Sequence, residues 1–137
     1  MDIYSPTLTV LAALILLTVI QSLIAMTAHR KQESYIPGIV NSSLDHRSFV
    51  FRSHRTFMNS LENVPIFILT VFLGVFLGFS PQHLFWPSVI FLIARLAHMI
   101  LFYKIATNAN PSPRSYFFLI GLLCQFYLLG FIILKLI

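Results

Sequence analysis

The stretch FRSHRTFMNSLENVPIF, residues 51–67, decides the fold because a charged helix face leads directly into a strongly apolar continuation. Four polar residues recur there at intervals of three, four and three: Arg52, Arg55, Asn59 and Glu62. At roughly 100° per residue, this spacing places all four within about 80° of one another on a helix. Ionisable groups at the edge of a bilayer are costly and tend to mark function. This polar stripe is the candidate binding site.

The composition excludes a water-soluble domain. The chain has 137 residues, of which 58% are hydrophobic and only 9% are charged. Four apolar runs each reach the roughly 20 residues that a spanning helix needs. We therefore predict an all-α membrane protein with a single domain over residues 1–137. Its bundle of four transmembrane helices is predicted at about residues 6–28, 49–79, 82–106 and 113–135.

The positive charge is concentrated in two of the three predicted loops. The basic residues of the first loop and its borders are Arg30, Lys31, Arg47, Arg52 and Arg55, and those beside the third are Lys104 and Arg114. The second loop, near residues 80–83, has no Lys or Arg. The positive-inside rule then places the first and third loops, and the site with them, in the cytoplasm. A net charge of +5 gathered at one membrane face does not indicate nucleic-acid binding.

The cations near the stripe outnumber the acids. Glu62 is the only acid in the membrane-proximal helices for four arginines: Arg52, Arg55, Arg95 and Arg114. Unpaired buried cations are expensive, so an anion from outside the chain is expected to complete the set. A ligand with carboxylates and one ammonium group fits these side chains. The alternative is an ion-pair network that is neutralised within the protein.

Arg114 is the most informative residue outside the stripe. Ser112 and Pro113 are typical of a helix start, so Arg114 is expected in the first turn of the fourth helix. A cation is normally disfavoured at this positive end of the helix dipole, unless an anion binds there as well. A thiol bound at this place would be shifted towards its thiolate. The alternative is an arginine that binds lipid phosphate.

The remaining reactive side chains form no comparable pattern. His98 follows Arg95 by three residues on the same helix face, and its alternative role is a hydrogen bond between helices. None of the five histidines forms a pair at ligand spacing with a carboxylate, so no metal site is predicted. Cys124 lies in the apolar middle of the fourth helix, where a packing role is expected.

Three motifs resemble a known family. The pattern Arg-x-x-Arg-x-x-x-Asn-x-x-Glu-Asn-x-Pro at residues 52–65 resembles the second-helix signature of the MAPEG family. These are the membrane-associated proteins of eicosanoid and glutathione metabolism, which include microsomal glutathione transferases. Ala-Arg-Leu-Ala-His at residues 94–98 and Pro-Arg-Ser at residues 113–115 are similar to the third helix and the fourth-helix start of the family. The resemblance covers nearly the whole chain.

The resemblance implies a homotrimer in membrane lipid, with glutathione as the thiol cosubstrate held between neighbouring subunits near the cytoplasmic face. Carried over by position, Arg55, Asn59 and Glu62 hold glutathione together with Arg52 of the stripe. His98 lines the same site. No metal is implied.

Two further site residues follow from the resemblance. Arg114 is expected to stabilise the glutathione thiolate, and Arg30, at the end of the first helix, is expected to contact a glutathione carboxylate. Many relatives have a tyrosine where this chain has Phe102. Tyr103 is the adjacent candidate for the missing hydroxyl, from a position rotated by about 100° on an ideal helix.

The implied function is that of a glutathione-dependent membrane transferase, which adds the thiolate to hydrophobic electrophiles, or of a lipid hydroperoxide peroxidase. One alternative is a non-catalytic lipid-binding or scaffold member of the same fold. Another is a small four-helix exporter, which is disfavoured because Glu62 lies among arginines at the membrane edge. The short chain favours a bacterial inner membrane over a microsomal membrane.

Overall fold

A computed structural model describes residues 2–137 and contains the four long helices that the sequence predicts. A short 3₁₀ turn at Asp2–Tyr4 precedes them. The helices are α1 (Ser5–Arg30), α2 (Phe49–Phe76), α3 (Pro81–Lys104) and α4 (Pro113–Leu136). Each is long and apolar enough to cross a membrane, which fits an integral multi-pass membrane protein.

The helices pack as two consecutive hairpins, α1 with α2 and α3 with α4, while α2 and α1 also contact α3. The core is aliphatic and aromatic, and the rings of Phe67 and Phe91 stack in it with centroids 3.9 Å apart. Cys124 belongs to the same core, as predicted. Large apolar side chains remain exposed on all four helices. In a bilayer these outer faces contact lipid chains or other subunits.

The first and third loops lie at the same end of the bundle. There, Nη2 of Arg52 at the start of α2 donates to the carbonyl oxygen of Tyr103 at the end of α3, at 3.4 Å. At the other end, the Tyr4 hydroxyl donates to the carbonyl oxygen of Phe79 at 2.7 Å. We call the first of these the basic end, formed by loop one (residues 31–48) and loop three (residues 105–112).

The second helix ends at Phe76, three residues before the predicted end near residue 79. Gly78 has a positive φ of 72°, a conformation that glycine adopts without steric cost. Its N–H donates to the Val75 carbonyl and that of Phe79 to the Gly74 carbonyl, both at 3.0 Å. This is the Schellman arrangement that closes a helix. The third helix likewise ends at Lys104, two residues earlier than predicted.

The start of α4 agrees with the prediction. Ser112 is the N-cap residue and Pro113 is the first helical residue. The Ser112 N–H donates to Oγ of Ser115 at 3.2 Å, and the Ser115 N–H donates to the Ser112 carbonyl at 2.8 Å. These reciprocal bonds fix the helix start, so Arg114 lies in its first turn.

Candidate functional site

The structure divides the polar stripe between the interior and the surface of the bundle. Arg52 and Asn59 bond to other segments of the chain. Arg55 and Glu62 are exposed on the surface of α2. At about 1.5 Å per residue the 28 residues of α2 span roughly 42 Å, more than the hydrocarbon layer. Its first turns, which include Arg52 and Arg55, therefore extend to the headgroup region.

Arg52 connects three segments at the basic end. Its Nη1 donates to the carbonyl oxygens of His46 at 2.7 Å and Arg47 at 2.9 Å, both in loop one. Its Nη2 reaches the Tyr103 carbonyl in the last turn of α3. A cation is favoured beside the Tyr103 carbonyl because it lies at the C-terminal end of α3, which carries the negative end of the helix dipole. Within one protomer, Arg52 therefore holds loop one and α3 against α2.

Arg95 is held by an amide and two aromatic rings. Its side chain is 1% exposed, and its Nη2 donates to Oδ1 of Asn59 at 2.9 Å. The guanidinium carbon lies 5.9 Å from the ring centroids of Phe91 and Phe118. Its Nε is buried without a hydrogen-bond partner among residues 2–137. Asn59 is thus the polar residue that makes this buried cation tolerable.

The excess of positive charge is not neutralised within the described chain. Across residues 2–137 the single ion pair joins Nε of Arg47 to Oδ2 of Asp45 at 3.1 Å, on the surface of loop one. Glu62 and Arg55 therefore have no ion-pair partner within these residues. This excludes the intrachain ion-pair network as an explanation of the stripe.

Arg114 stands over an aromatic ring at the start of α4. Its guanidinium carbon lies 4.1 Å from the ring centroid of Phe102, and its Nη2 donates to the Thr107 carbonyl at 3.3 Å. Nε and Nη1 make no hydrogen bond to residues 2–137. Most of its donors are therefore free for an anion, next to the N–H groups of the first turn of α4.

The Phe102 ring contacts Arg114 and two histidines. The ring is 7% exposed and contacts His98 edge-on at 5.5 Å between centroids. The ring of His46, from loop one, lies 5.6 Å away and also meets Phe51 at 4.9 Å. His98 is itself only 4% exposed. The basic end thus contains a cluster of one cation and two imidazoles around a single phenyl ring.

The family model of the MAPEG family matches residues 7–134, nearly the whole chain. The chain belongs to the MAPEG family. Searches of curated proteins and of solved structures give no match to this chain. MAPEG members include glutathione transferases and peroxidases, and some members are not enzymes.

Not all the residues expected from the MAPEG pattern lie together in one protomer. Asn59 is joined to Arg95, and His98 contacts the ring beneath Arg114. Arg30 instead lines a separate cleft of about 430 Å³ between the end of α1, loop one and the start of α2. The polar side chains beside Arg30 in this cleft include His29 and His54.

Tyr103 packs against the start of α2, and Phe102 instead adjoins Arg114. The Tyr103 ring packs edge-on against Phe49 at 5.4 Å, and its hydroxyl is buried without a hydrogen-bond partner in the described chain. Among residues 2–137 there is also no group of three His, Cys, Asp or Glu side chains placed to hold a metal ion.

The sequence does not indicate His46 as a neighbour of the site. It indicates Phe102 only as the position at which the tyrosine of many family members is absent. Loop one has no periodicity, so nothing in its sequence indicates that His46 reaches the end of α3. Burial of the ring, followed by the positive charge of Arg114, lowers the pKa of His46 below its ordinary value of 6.5. Asp45 raises this pKa to a lesser degree, while Arg52 and Arg55 lower it further.

This shift predicts a loss of stability in acid. Below pH 6.5 the His46 ring becomes protonated in the unfolded chain, whereas in the folded protein it stays neutral to a lower pH. The contribution of His46 to the free energy of unfolding is therefore complete above pH 6.5 and declines as the pH falls further. Thermal unfolding in detergent at about pH 7.5 and pH 5.5 should show a smaller acid loss for His46→Gln than for the wild type. His83→Gln, at the other end of the bundle, is the control, and equal losses in all three proteins would contradict the prediction.

Proposed function

We propose that this MAPEG protein is a glutathione-dependent membrane transferase, which adds the glutathione thiolate to hydrophobic electrophiles, or a lipid hydroperoxide peroxidase. One observation carries the proposal: Arg114 lies in the first turn of α4 with most of its guanidinium donors free. A guanidinium and a helix N-terminus together favour the ionised form of a thiol bound between them.

In the proposed complex, glutathione completes the charge balance at the basic end. Its carboxylates would bind Arg55 and its ammonium group would bind Glu62, which are the two exposed members of the stripe. The amide of Asn59, already fixed by Arg95, would bind the peptide backbone of the ligand. His98 would line the site next to the thiol.

The site is proposed to be complete only in a homotrimer. Arg55 and Glu62 face outward from the protomer, and Glu62, two turns deeper in α2 than Arg55, is an exposed charge on a membrane helix that is expensive unless another subunit or a ligand covers it. Arg30 lies in a different cleft of the same protomer. We therefore assign Arg30 to the glutathione bound mainly by the neighbouring subunit, where it would contact a carboxylate.

The proposed chemistry starts from the bound thiolate. With an electrophile that enters from the bilayer, the sulfur forms a bond to carbon while the leaving group departs as an anion. With a hydroperoxide, the sulfur attacks the terminal oxygen, the O–O bond breaks, and the lipid alkoxide leaves and takes a proton from water to become the alcohol. The sulfenic acid formed then reacts with a second glutathione to give the disulfide and water. The protein contributes position and electrostatic stabilisation.

A direct test uses the purified oligomer in detergent. Addition of glutathione should produce the ultraviolet difference absorbance of a thiolate at a pH where free glutathione is a thiol. Turnover should follow with a generic aryl halide or with a lipid hydroperoxide. Binding of glutathione without thiolate or turnover would identify the protein as a non-catalytic lipid-binding or scaffold member. Absence of glutathione binding would overturn the proposal.

The charge of the loops predicts how the protein is oriented in its membrane. We propose that the host membrane is a bacterial inner membrane. The basic end is proposed to face the cytoplasm, because both basic loops lie at that end. Labelling of single cysteines placed in loop one and in the loop between α2 and α3 should show opposite accessibility from the cytoplasm.

A further inference from the structure

We propose that Phe102 is a positioning residue, whose ring face holds the Arg114 guanidinium in the orientation that meets the sulfur of bound glutathione. This inference rests on the proposed function for its catalytic consequence. Its geometric part concerns the protein alone and can be tested without glutathione.

The distance distinguishes this pair from the other cation and ring contacts of the molecule. The Arg114 guanidinium carbon is 4.1 Å from the Phe102 centroid. The remaining arginine contacts with Phe49, Phe91 and Phe118 lie at 5.6, 5.9 and 5.9 Å. Attraction between a cation and the negative face of a ring increases as the two approach, and it strengthens further when the ring is shielded from water. Phe102, at 7% exposure, is shielded.

The ring can orient the guanidinium because it is itself fixed. His98 contacts it from one turn earlier in α3, and His46 contacts it from loop one. The position of loop one is in turn set by the bonds from Arg52 to the carbonyls of His46 and Arg47. Contacts from α3 and loop one, the latter held by α2, therefore fix the Phe102 ring so that one face is presented to Arg114.

No other contact of Arg114 is as restrictive. Its one hydrogen bond in the described chain goes to the carbonyl of Thr107 in loop three, and at 3.3 Å it is long for an N–H···O bond. A carbonyl bond to one Nη group also leaves the guanidinium plane free to rotate about that bond. Contact with a ring face limits this rotation, since a planar guanidinium favours a stacked orientation on an aromatic face. The phenyl ring thus determines which way the free donors point.

Phe102 can hold Arg114 although it lacks the hydroxyl that many MAPEG members have at this position. A phenol and a phenyl ring offer the same π face to a cation, so the contact needs only the ring. In this chain the thiolate would then be stabilised by Arg114 and the α4 N-terminus without a hydroxyl at position 102.

The first experiment measures the orientation of Arg114 in the protein without glutathione. The rate at which an arginine-selective dicarbonyl reagent modifies Arg114 is followed by mass spectrometry. Phe102→Leu should raise this rate several-fold, because it removes the ring and retains apolar volume, and Phe102→Tyr should leave it near the wild-type value. Phe118→Leu, which removes a ring from Arg95 instead, is the matched control. Equal rates in the wild type and Phe102→Leu would overturn the proposal.

The second experiment measures the catalytic consequence. In Phe102→Leu, the pH profile of kcat/KM should move upward by about one unit, equivalent to a tenfold lower thiolate population at a given pH. Glutathione affinity should remain within about twofold of the wild-type value, since the substitution leaves the side chains that hold the ligand before the reaction unchanged. Phe102→Tyr should restore the wild-type profile. A profile that stays unchanged in Phe102→Leu, or moves equally in Phe118→Leu, would refute the positioning role.

A fluorinated series separates the ring face from simple packing. Phenylalanine with increasing fluorine substitution at position 102 keeps the ring shape and progressively weakens its negative face. Both the modification rate and the pH shift should increase along the series, and a flat response would overturn the proposal. A wild-type protein without thiolate would instead refute the proposed function and the catalytic consequence, while the modification series would still decide whether Phe102 orients Arg114.

Discussion

Replacement of Arg114 by alanine is expected to abolish the thiolate absorbance of bound glutathione while glutathione still binds. Removal of the guanidinium leaves only the backbone N–H groups of the first turn of α4 to stabilise the sulfur anion. Loss of one group that stabilises developing charge typically lowers kcat by about 10²- to 10³-fold. Binding should weaken less, because Arg55, Asn59 and Glu62 would still hold the ligand. Difference spectroscopy and calorimetry measure the two effects separately.

Two further variants test whether the loss of thiolate is specific to the Arg114 guanidinium. Arg114→Lys keeps the positive charge but loses the planar guanidinium that lies over the Phe102 ring, so an intermediate loss of thiolate is expected. Arg47→Ala removes an exposed loop cation that is already paired with Asp45, and it should leave the spectrum unchanged. An unchanged spectrum in Arg114→Ala would remove Arg114 from the mechanism.

Replacement of Asn59 by alanine is expected to destabilise the protein even without glutathione. The Asn59 side chain accepts the only hydrogen bond that Arg95 makes to the described residues, and Arg95 is 1% exposed. A hydrogen bond to a buried charge is worth about 1.5–3 kcal/mol, and the loss leaves the guanidinium without a polar partner. The free energy of unfolding in detergent should fall by about this amount.

Asn63→Ala is the matched control for this change. The Asn63 side chain donates to the carbonyl of Asn59, four residues earlier in the same helix, so its loss removes no partner from another helix. The double variant Asn59→Ala with Arg95→Met should recover much of the lost stability, because no buried charge remains without a partner. Equal destabilisation by Asn59→Ala and Asn63→Ala would show that Arg95 does not depend on the amide.

The four helices and the start of α4 could be predicted from the sequence. Apolar runs long enough to span a bilayer leave little choice of secondary structure, because an unpaired backbone is not tolerated in lipid. Ser112 and Pro113 are a local signal, and the structure places the start of α4 where they indicate. The early end of α2 also has a local cause in Gly78, whose positive φ stops the helix.

The division of the polar stripe could not be predicted. Residue spacing indicates which side of a helix two residues share, but not which segment arrives to meet that side. Arg52 meets backbone carbonyls of loop one, and Asn59 meets Arg95 at a sequence separation of 36 residues. His46 is the clearest case, because its contact with Phe102 depends on the path of an irregular loop. These are tertiary effects without a local signature.

The bonds of Arg52 have a consequence for how this protein can vary. Its partners are main-chain oxygens of His46, Arg47 and Tyr103, and every amino acid possesses such an oxygen. Substitutions at these three positions can therefore accumulate without loss of the junction between loop one and the third helix, provided that the arginine itself persists. An insertion between Arg47 and Arg52 is different, since it would carry those oxygens out of reach. For the contacts of Arg52, descendants of this chain are thus freer to change the amino acids near residues 46–52 than the number of residues between them.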